Sequence, residues 1–555
     1  MRDAYSVSKV RAAEAALMAV LPDGALMQRA AAGLASVCAG LLRDIAGGVY
    51  GARVVVLAGT GDNGGDALYA AERLARRGAA VIAVRAGARI HEAAAGALVA
   101  AGGRIIGVAQ PRDPDATTID LGQPERAGRG KYDVGHEVRQ AIGYADLIVD
   151  GMLGIGGKGG LREPYATLAQ LAANARNATT IAVDLPSGID ADTGVVAGPA
   201  VRADVTVTFG AVKPGLLIDP GAGHAGVVEF VDIGLGPSLS GPPEASAPQG
   251  GDIEAILPRP TAESDKYRRG VLGLLAGSNR FTGAAILATG GAVRGGAGMV
   301  RLLTFPGSAA AVRHLHPEVV ITELTDEIED GFLDKVGRVQ AWAVGSGMGT
   351  DDAAAQRLAA VLATPLPVLI DADGLTLLAK HKGLLPRPAP TLLTPHAGEL
   401  GRLLDADPAD IEARRLEHAR LAATRLGACV LLKGSTTVVA PPDGLDPVLV
   451  NTTGTPWLAT AGTGDVLAGL AGALLAQGLL PPQAAIAAAY LHGLAARLAS
   501  HDLGGYGGSS PREIGGSRAG YDRARNPQGH RELTAESPIG AADLIDALPL
   551  AFRAL

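Results

Sequence analysis

The sequence predicts an α/β protein with two successive sheet domains. Three observations carry this: short β-branched runs alternate with helical stretches, aromatic residues are scarce, and one Gly/Pro-rich break divides the chain. Hydrophobic residues make up 48% of the 555 positions but aromatics only 3%, so Ala, Val, Leu and Ile must fill the core. The 78 Gly and 34 Pro imply many turns, which suits layered α/β architecture better than a sandwich or a disordered chain.

Residues 9–46 read as helices, because apolar positions recur at helical spacing on either side of Pro22-Asp23-Gly24. From Arg53 the period changes. RVVVLAG (53–59), AVIAV (80–84), DLIVDGM (146–152), TIAVDLPSG (180–188) and DVTVTFG (204–210) are apolar runs separated by helical segments. Such strands belong to a parallel sheet covered on both faces, so residues 1–237 are expected to form a Rossmann-like, doubly wound domain. Arg112–Lys131 is polar and reads as an exposed loop. Residues 238–251, within GPSLSGPPEASAPQGG, read as a linker. Strand-like runs resume at VLGLLAG (271–277), AWAVGSG (341–347), PVLIDADG (367–374), TLLTPHAGE (391–399) and CVLLKGS (429–435). Residues 252–555 are therefore a second α/β domain, with 503–532 a flexible insertion.

A net charge of −7 with no Lys/Arg block argues against nucleic-acid or anionic-membrane partners. Cys38 and Cys429 are two isolated cysteines, too few for a disulfide framework or a zinc site. The charged start MRDAYSVSKVRAAEAALMAV lacks the apolar stretch of a signal peptide, and no uninterrupted apolar run of about 18 residues follows, so a cytoplasmic location is expected.

In parallel sheets ligands sit beyond the carboxyl ends of the strands, so the residues there matter most. RVVVLAG runs into TGDNGGD, where Gly59, Gly61 and Gly64 satisfy G-x-G-x-x-G before the helical ALYAAERLARRG. The next strand ends at Arg85 without the acid that a dinucleotide fold uses. Asp62, Asn63 and Asp66 crowd the turn; Asp150 closes the third strand, and Asp184 and Ser187 close the fourth. Together these oxygens suit a hard cation, while each alone also reads as a cap or turn former.

In the second half, Ala461-Gly-Thr-Gly-Asp465 opens a long apolar helix whose N-terminal amides favour an anion. Asp465 beside them suits a base acting on a hydroxyl that meets a phosphate, or alternatively a cap. VLLKGSTTVVA (430–440) reads as a hairpin with Lys433-Gly434-Ser435 at its turn. TPHAGEL (394–400) starts a helix with His396 and Glu399 in its first turn; Asp371, Asp373 or Glu399 could reach a magnesium ion.

TGDNGGD, DGMLGIGGKGG and AVDLPSGID, with TFGAVKPG (208–215), closely resemble the NAD(P)H-hydrate epimerase domain. The resemblance implies that Asp62, Asn63, Gly64, Gly65 and Asp66, and the loop Gly154, Ile155, Gly156, Gly157, Lys158, Gly159 and Gly160, contact the hydrated nucleotide. It further implies that Asn63, Asp150 and Ser187 hold potassium, with Asp184 facing the substrate as the catalytic carboxylate. Asp62 stands where the family commonly has Asn, adding a negative charge near the cation.

GSNRFTGAAILA (277–288), VGSGMGT (344–350), DADGL (371–375), TPHAGE, LLKGSTT and ATAGTGDVLAG resemble the ADP-dependent NAD(P)H-hydrate dehydratase of ribokinase-like fold. That resemblance implies hydrate contacts from Ala284, Gly347, His396 and catalytic Asp465. It implies adenine-nucleotide contacts from Lys433, Gly434, Ser435, Thr436, Thr437 and Gly464, with ADP as co-substrate and magnesium as cofactor. TPWLATAG departs from the usual NPGMATGG, which alters the pocket lip at Trp457 and Ala461. A bifunctional NAD(P)H-hydrate repair enzyme, acting on small molecules as a homo-oligomer, is the expected function. The alternative is a ribokinase-like small-molecule kinase, such as a hydroxymethylpyrimidine kinase, with a nucleotide-binding accessory domain.

Overall fold

The computed structural model describes residues 1–108, 134–328, 331–442, 444, 447–501 and 536–555. The expected loop Arg112–Lys131 and the expected insertion 503–532 lie outside the described residues. The described residues divide into two compact units: one holds Ala4–Gly241, the other Met1–Asp3 together with the described residues from Pro242 onward.

The first unit is an α/β layer structure around a seven-stranded sheet. Its strands lie in the order Arg104–Gly107, Ala80–Arg85, Arg53–Ala58, Leu147–Gly151, Thr179–Val183, Val205–Phe209 and Val227–Val231. Every pairing is parallel. The inner strands are buried along nearly their whole length, which is why their sequences are continuously apolar. The strand order reverses direction between Arg53–Ala58 and Leu147–Gly151, and a crevice opens where such a reversal occurs. One helix, Ala25–Ala46, has the length and hydropathy of a membrane span, yet half of that window is buried. Its Leu34, Cys38 and Leu42 are core residues of this unit.

The second unit carries an eleven-stranded sheet. Seven strands, from Val320–Glu323 through Met299–Thr304, Val271–Leu275, Ala341–Val344, Val368–Ile370 and Thr391–Leu393 to Cys429–Leu432, are parallel. The hairpin Cys429–Leu432/Thr437–Ala440 and the strand Val448–Asn451 continue antiparallel. Ala245–Ala247 and the N-terminal Arg2–Ala4 finish that edge. The Met1 amine pairs with Asp252 at 2.7 Å, and Ser246 Oγ donates to Asp3 Oδ1 at 2.6 Å.

Residues 238–251 depart from the expected linker. Ala245–Ala247 form a fully buried strand and a helix begins at Gly250. Pairing with Val448–Asn451, remote in sequence, captures this small-residue stretch. Composition cannot register such a partner.

The helices Thr282–Arg294 and Thr463–Ala476 cross at glycines. A β-carbon on Gly469 would lie 1.9 Å from the Ala288 carbonyl oxygen, and one on Gly291 2.2 Å from that of Val466. Close backbone approach fixes where Asp465 begins its helix. Gly469→Ala must separate the two helices, and is expected to cost about 1–3 kcal/mol, read as a lowered urea midpoint at unchanged m-value.

Candidate active sites

At the switch point of the first unit, Gly59 lets its backbone meet that of Met152: a β-carbon there would lie 1.9 Å from Met152 O. One on Gly64 would lie 2.4 Å from Gly59 O. The helix begins at Asp62, inside the glycine motif and earlier than ALYAAERLARRG suggests, because Gly64 and Gly65 face packed atoms where no side chain fits. Asp62, Asn63 and Asp66 thereby stand on its first turns.

These residues line a cavity of about 600 Å³ together with Gly154 to Gly157, Asp184, Arg11 and Glu14. Of the expected contacts, Gly64, Gly65, Lys158, Gly159 and Gly160 do not line it. Gly160 instead abuts Gly198, with room for a hydrogen only.

Asp184 adopts φ 66°, a left-handed conformation that costs a non-glycine residue of order 1–3 kcal/mol. The strain is offset by a dense bonding set. Thr208 Oγ1 and Phe209 N donate to Asp184 Oδ1, each at 3.2 Å. Lys213 Nζ donates to the same oxygen, to Thr208 Oγ1 at 3.1 Å and to Phe209 O at 3.3 Å. Lys213 is 1% exposed, so its ammonium is matched almost wholly by Asp184. Lys213 and Glu14 escaped the sequence reading; the one trace was a lysine inside an otherwise apolar strand-end segment. Asp66, by contrast, is held well above the usual carboxylate range, by burial first and then by Asp184, Asp62 and Glu14.

Asp150 and Ser187 meet under the cavity. Ser187 N and Oγ donate to Asp150 at 2.8 and 2.7 Å, and Met152 N donates at 3.2 Å. Leu153 N donates to Ser187 Oγ at 2.9 Å. Asp150 has no exposed surface, and burial, opposed by these bonds, pushes its carboxyl up to about 6. Asn63 approaches from the facing helix; a β-carbon at Gly154 would stand 3.2 Å from its Oδ1, and its Nδ2 is buried without a partner. A buried carboxylate, an amide and a hydroxyl, with no cation among these bonds, fit a monovalent hard cation. Among the described residues no group of three or more His, Cys, Asp or Glu could cage a metal.

In the second unit two adjoining pockets of about 550 and 500 Å³ share Ala461. The first is lined by His396, Lys433, Gly434 and Gly464 among others, the second by Ala284, Gly347, Asp373 and Asp465. His396, expected beside Ala284 and Gly347, thus falls on the Lys433 side. It caps the helix Ala397–Leu404: its Nδ1 accepts from Gly398 N at 3.0 Å, while Glu399 Oε2 accepts from His396 N at 2.8 Å. Ser435, Thr436 and Thr437 line neither pocket. Arg415 underlies their turn, and a β-carbon on Gly434 would collide with its guanidinium at 2.0 Å.

Lys433 Nζ lies 2.7 Å from Asp371 Oδ1 and 3.8 Å from Glu399 Oε2. Burial alone would lower its pKa; the two carboxylates outweigh this and hold it raised. Burial and Asp371 push Asp465 up to about 6, against the Ser346 hydroxyl and Lys433, which pull it down. Asp371, Asp373, Glu399 and Asp465 outnumber the single ammonium. That surplus suits a magnesium ion held by one or two carboxylates and ligand phosphates. His492, missed by the sequence reading, is fully buried behind the loop, where burial lowers it to about 4; its Nε2 lies 2.9 Å from Thr463 O.

The sequence profile described as YjeF-related protein N-terminus matches residues 23–215, and that of NAD(P)H-hydrate dehydratase matches 272–514. The bifunctional NAD(P)H-hydrate repair enzyme Nnr of Mycobacterium leprae is 46% identical over 509 residues, covering 91% of this chain and 95% of its own length. Nnr of Mycobacterium tuberculosis H37Rv is 45% identical, covering 87% of this chain and 91% of its own. A crystal structure of ADP/ATP-dependent NAD(P)H-hydrate dehydratase from Bacillus subtilis, with ATP and Mg²⁺, is 28% identical. It covers 55% of this chain and 96% of its own, with a TM-score of 0.43.

Lys213→Met would strand the Asp184 carboxylate in a nearly dry site. The expected cost is about 3–5 kcal/mol in denaturant unfolding, and Lys213→Met with Asp184→Leu should recover much of it.

Proposed function

The chain belongs to the family of bifunctional NAD(P)H-hydrate repair enzymes, and we propose how its residues divide that repair. Residues 1–237 epimerise the R and S hydrates of NADH and NADPH; residues 252–555, beyond the 238–251 connection, dehydrate the S hydrate at the expense of ADP. The alternative of a small-molecule kinase is not favoured, since the curated relatives span both halves.

In the hydrate, a hydroxyl sits on the carbon beside the ring nitrogen. The nitrogen lone pair expels it, and water returns from the opposite face. Asp184 acts in its protonated form: its free oxygen Oδ2 gives the proton to the departing oxygen and recovers one from the returning water, while Oδ1 stays on Lys213, which holds the group in its strained pose. Asn63, Asp150 and Ser187 would hold potassium, which supplies the positive charge that buried Asp150 lacks and so steadies the Met152–Gly157 turn against the substrate.

Dehydration needs a better leaving group than hydroxide. Asp465 takes the proton of the hydroxyl as its oxygen attacks the terminal phosphorus of ADP, and AMP departs. The ring nitrogen then expels phosphate, and loss of a proton from the neighbouring carbon restores the double bond. Lys433 and the amides at Gly464 meet the phosphates, a task that is mostly positioning and charge stabilisation. Magnesium, when bound near Asp371, Asp373 or Glu399, would neutralise phosphate charge. The observation that carries this reading is Asp465: a half-dry carboxylate where the two pockets adjoin, one turn from Gly462 on a helix N-terminus.

Full-length protein mixed with both epimers, ADP, magnesium and potassium should return all the reduced-nicotinamide absorbance. Asp465→Asn should lower dehydration ~10²–10⁴-fold while R/S interconversion persists; unaltered turnover would refute the assignment. Because a base must be ionised, the dehydration rate should fall as pH drops through about 6, the value to which burial raises Asp465. Replacing potassium with a larger organic cation should slow epimerisation alone.

A further inference from the structure

The cavity of the first unit is electrostatically lopsided. Glu14, Asp23, Asp62, Asp66 and Asp184 bring five carboxylates to its lining, against one cationic side chain, Arg11. Lys213 is committed to Asp184. A hydrated dinucleotide carries a diphosphate with two negative charges. Bringing it among these acids is uphill unless a cation meets it.

Arg11 is placed to do this. It lies on the helix Val7–Met18, three residues before Glu14, so both project from one face. Its Nη2 lies against the glycine-rich turn: a β-carbon on Gly156 would come within 3.1 Å of it. The residue is exposed, so its fork of N–H donors is open to a ligand. Glu14, which also lines the cavity, is close enough to feel its charge. A guanidinium matches phosphate oxygens in bidentate fashion.

Resting on the epimerase reading above, we propose that Arg11 is the diphosphate-binding residue of the epimerase cavity. It clamps the dinucleotide against the Gly154–Gly157 turn and leaves the ring free for Asp184. The acid-rich lining thus rejects anions that lack a group to reach Arg11.

The test is steady-state epimerisation by full-length Arg11→Gln and Arg11→Lys proteins, with NADH hydrate and NADPH hydrate as separate substrates. KM should rise roughly tenfold or more for Arg11→Gln, equally for both hydrates, with a smaller rise for Arg11→Lys. The wild-type KM should climb with ionic strength, and that slope should flatten in Arg11→Gln. An epimerisation kcat close to wild type at saturating hydrate, together with unchanged urea unfolding, reports that the first unit is folded. An unchanged KM in Arg11→Gln overturns the proposal and leaves the epimerase reading intact. A rise confined to NADPH hydrate also overturns it, because the contact would then be to the 2′-phosphate. Failure of wild-type protein to interconvert the epimers sinks the underlying reading instead.

Discussion

A carboxylate at the end of a buried parallel strand is costly unless charge or hydrogen-bond donors meet it. Both units set a lysine against a strand-end aspartate: the buried Lys213 on Asp184, and the part-exposed Lys433 on Asp371. Each pair anchors the rest of its site. Lys213 tethers Asp184 in a backbone conformation that few aspartates adopt. Lys433 stands between Asp371 and Glu399 and tempers the charge that Asp465 feels. Pairs of this kind contribute little net stability, since desolvation consumes most of the attraction. Their value is geometric.

Beyond that shared device both sites carry more carboxylates than ammonium groups, but they differ in what stands beside the acids. The first accumulates acids and leaves Asp150 buried with hydrogen-bond donors but no cationic side chain among its partners. The second sets Lys433 and the helix start at Thr463–Gly464 beside its acids, an arrangement suited to phosphate oxygens. Glycines make both possible by bringing backbones together, at Gly59 against Met152 and at Gly469 against Ala288.

Much of this was legible in the sequence because buried parallel strands leave nothing but apolar residues to read. RVVVLAG and VLGLLAG could hardly be surface segments. The acids and glycines after such runs stand out against them, so Asp62, Asp150, Asp184 and Asp465 were visible. What failed to show were partnerships between distant positions. Lys213 lay unremarked within TFGAVKPG, and Arg11 and Glu14 within a stretch read only as helical. Ala245–Ala247 looked like linker because only its pairing with Val448–Asn451 makes it a strand. His396 was grouped with Ala284, yet its capping role turns it toward Lys433.

The N-terminal strand has a further consequence. Arg2–Ala4 edges the sheet of the second unit, although it leaves the ribosome before any other part of that sheet. The whole first unit is therefore spliced into a gap in the second, like a long clause set between a subject and its verb. During synthesis its own seven strands can settle early, whereas the strand that neighbours Arg2–Ala4 in the second sheet, Ala245–Ala247, is made only after all of them. That seam joins strands far apart in sequence, so it can close only once Ala245–Ala247 stands beside Val448–Asn451.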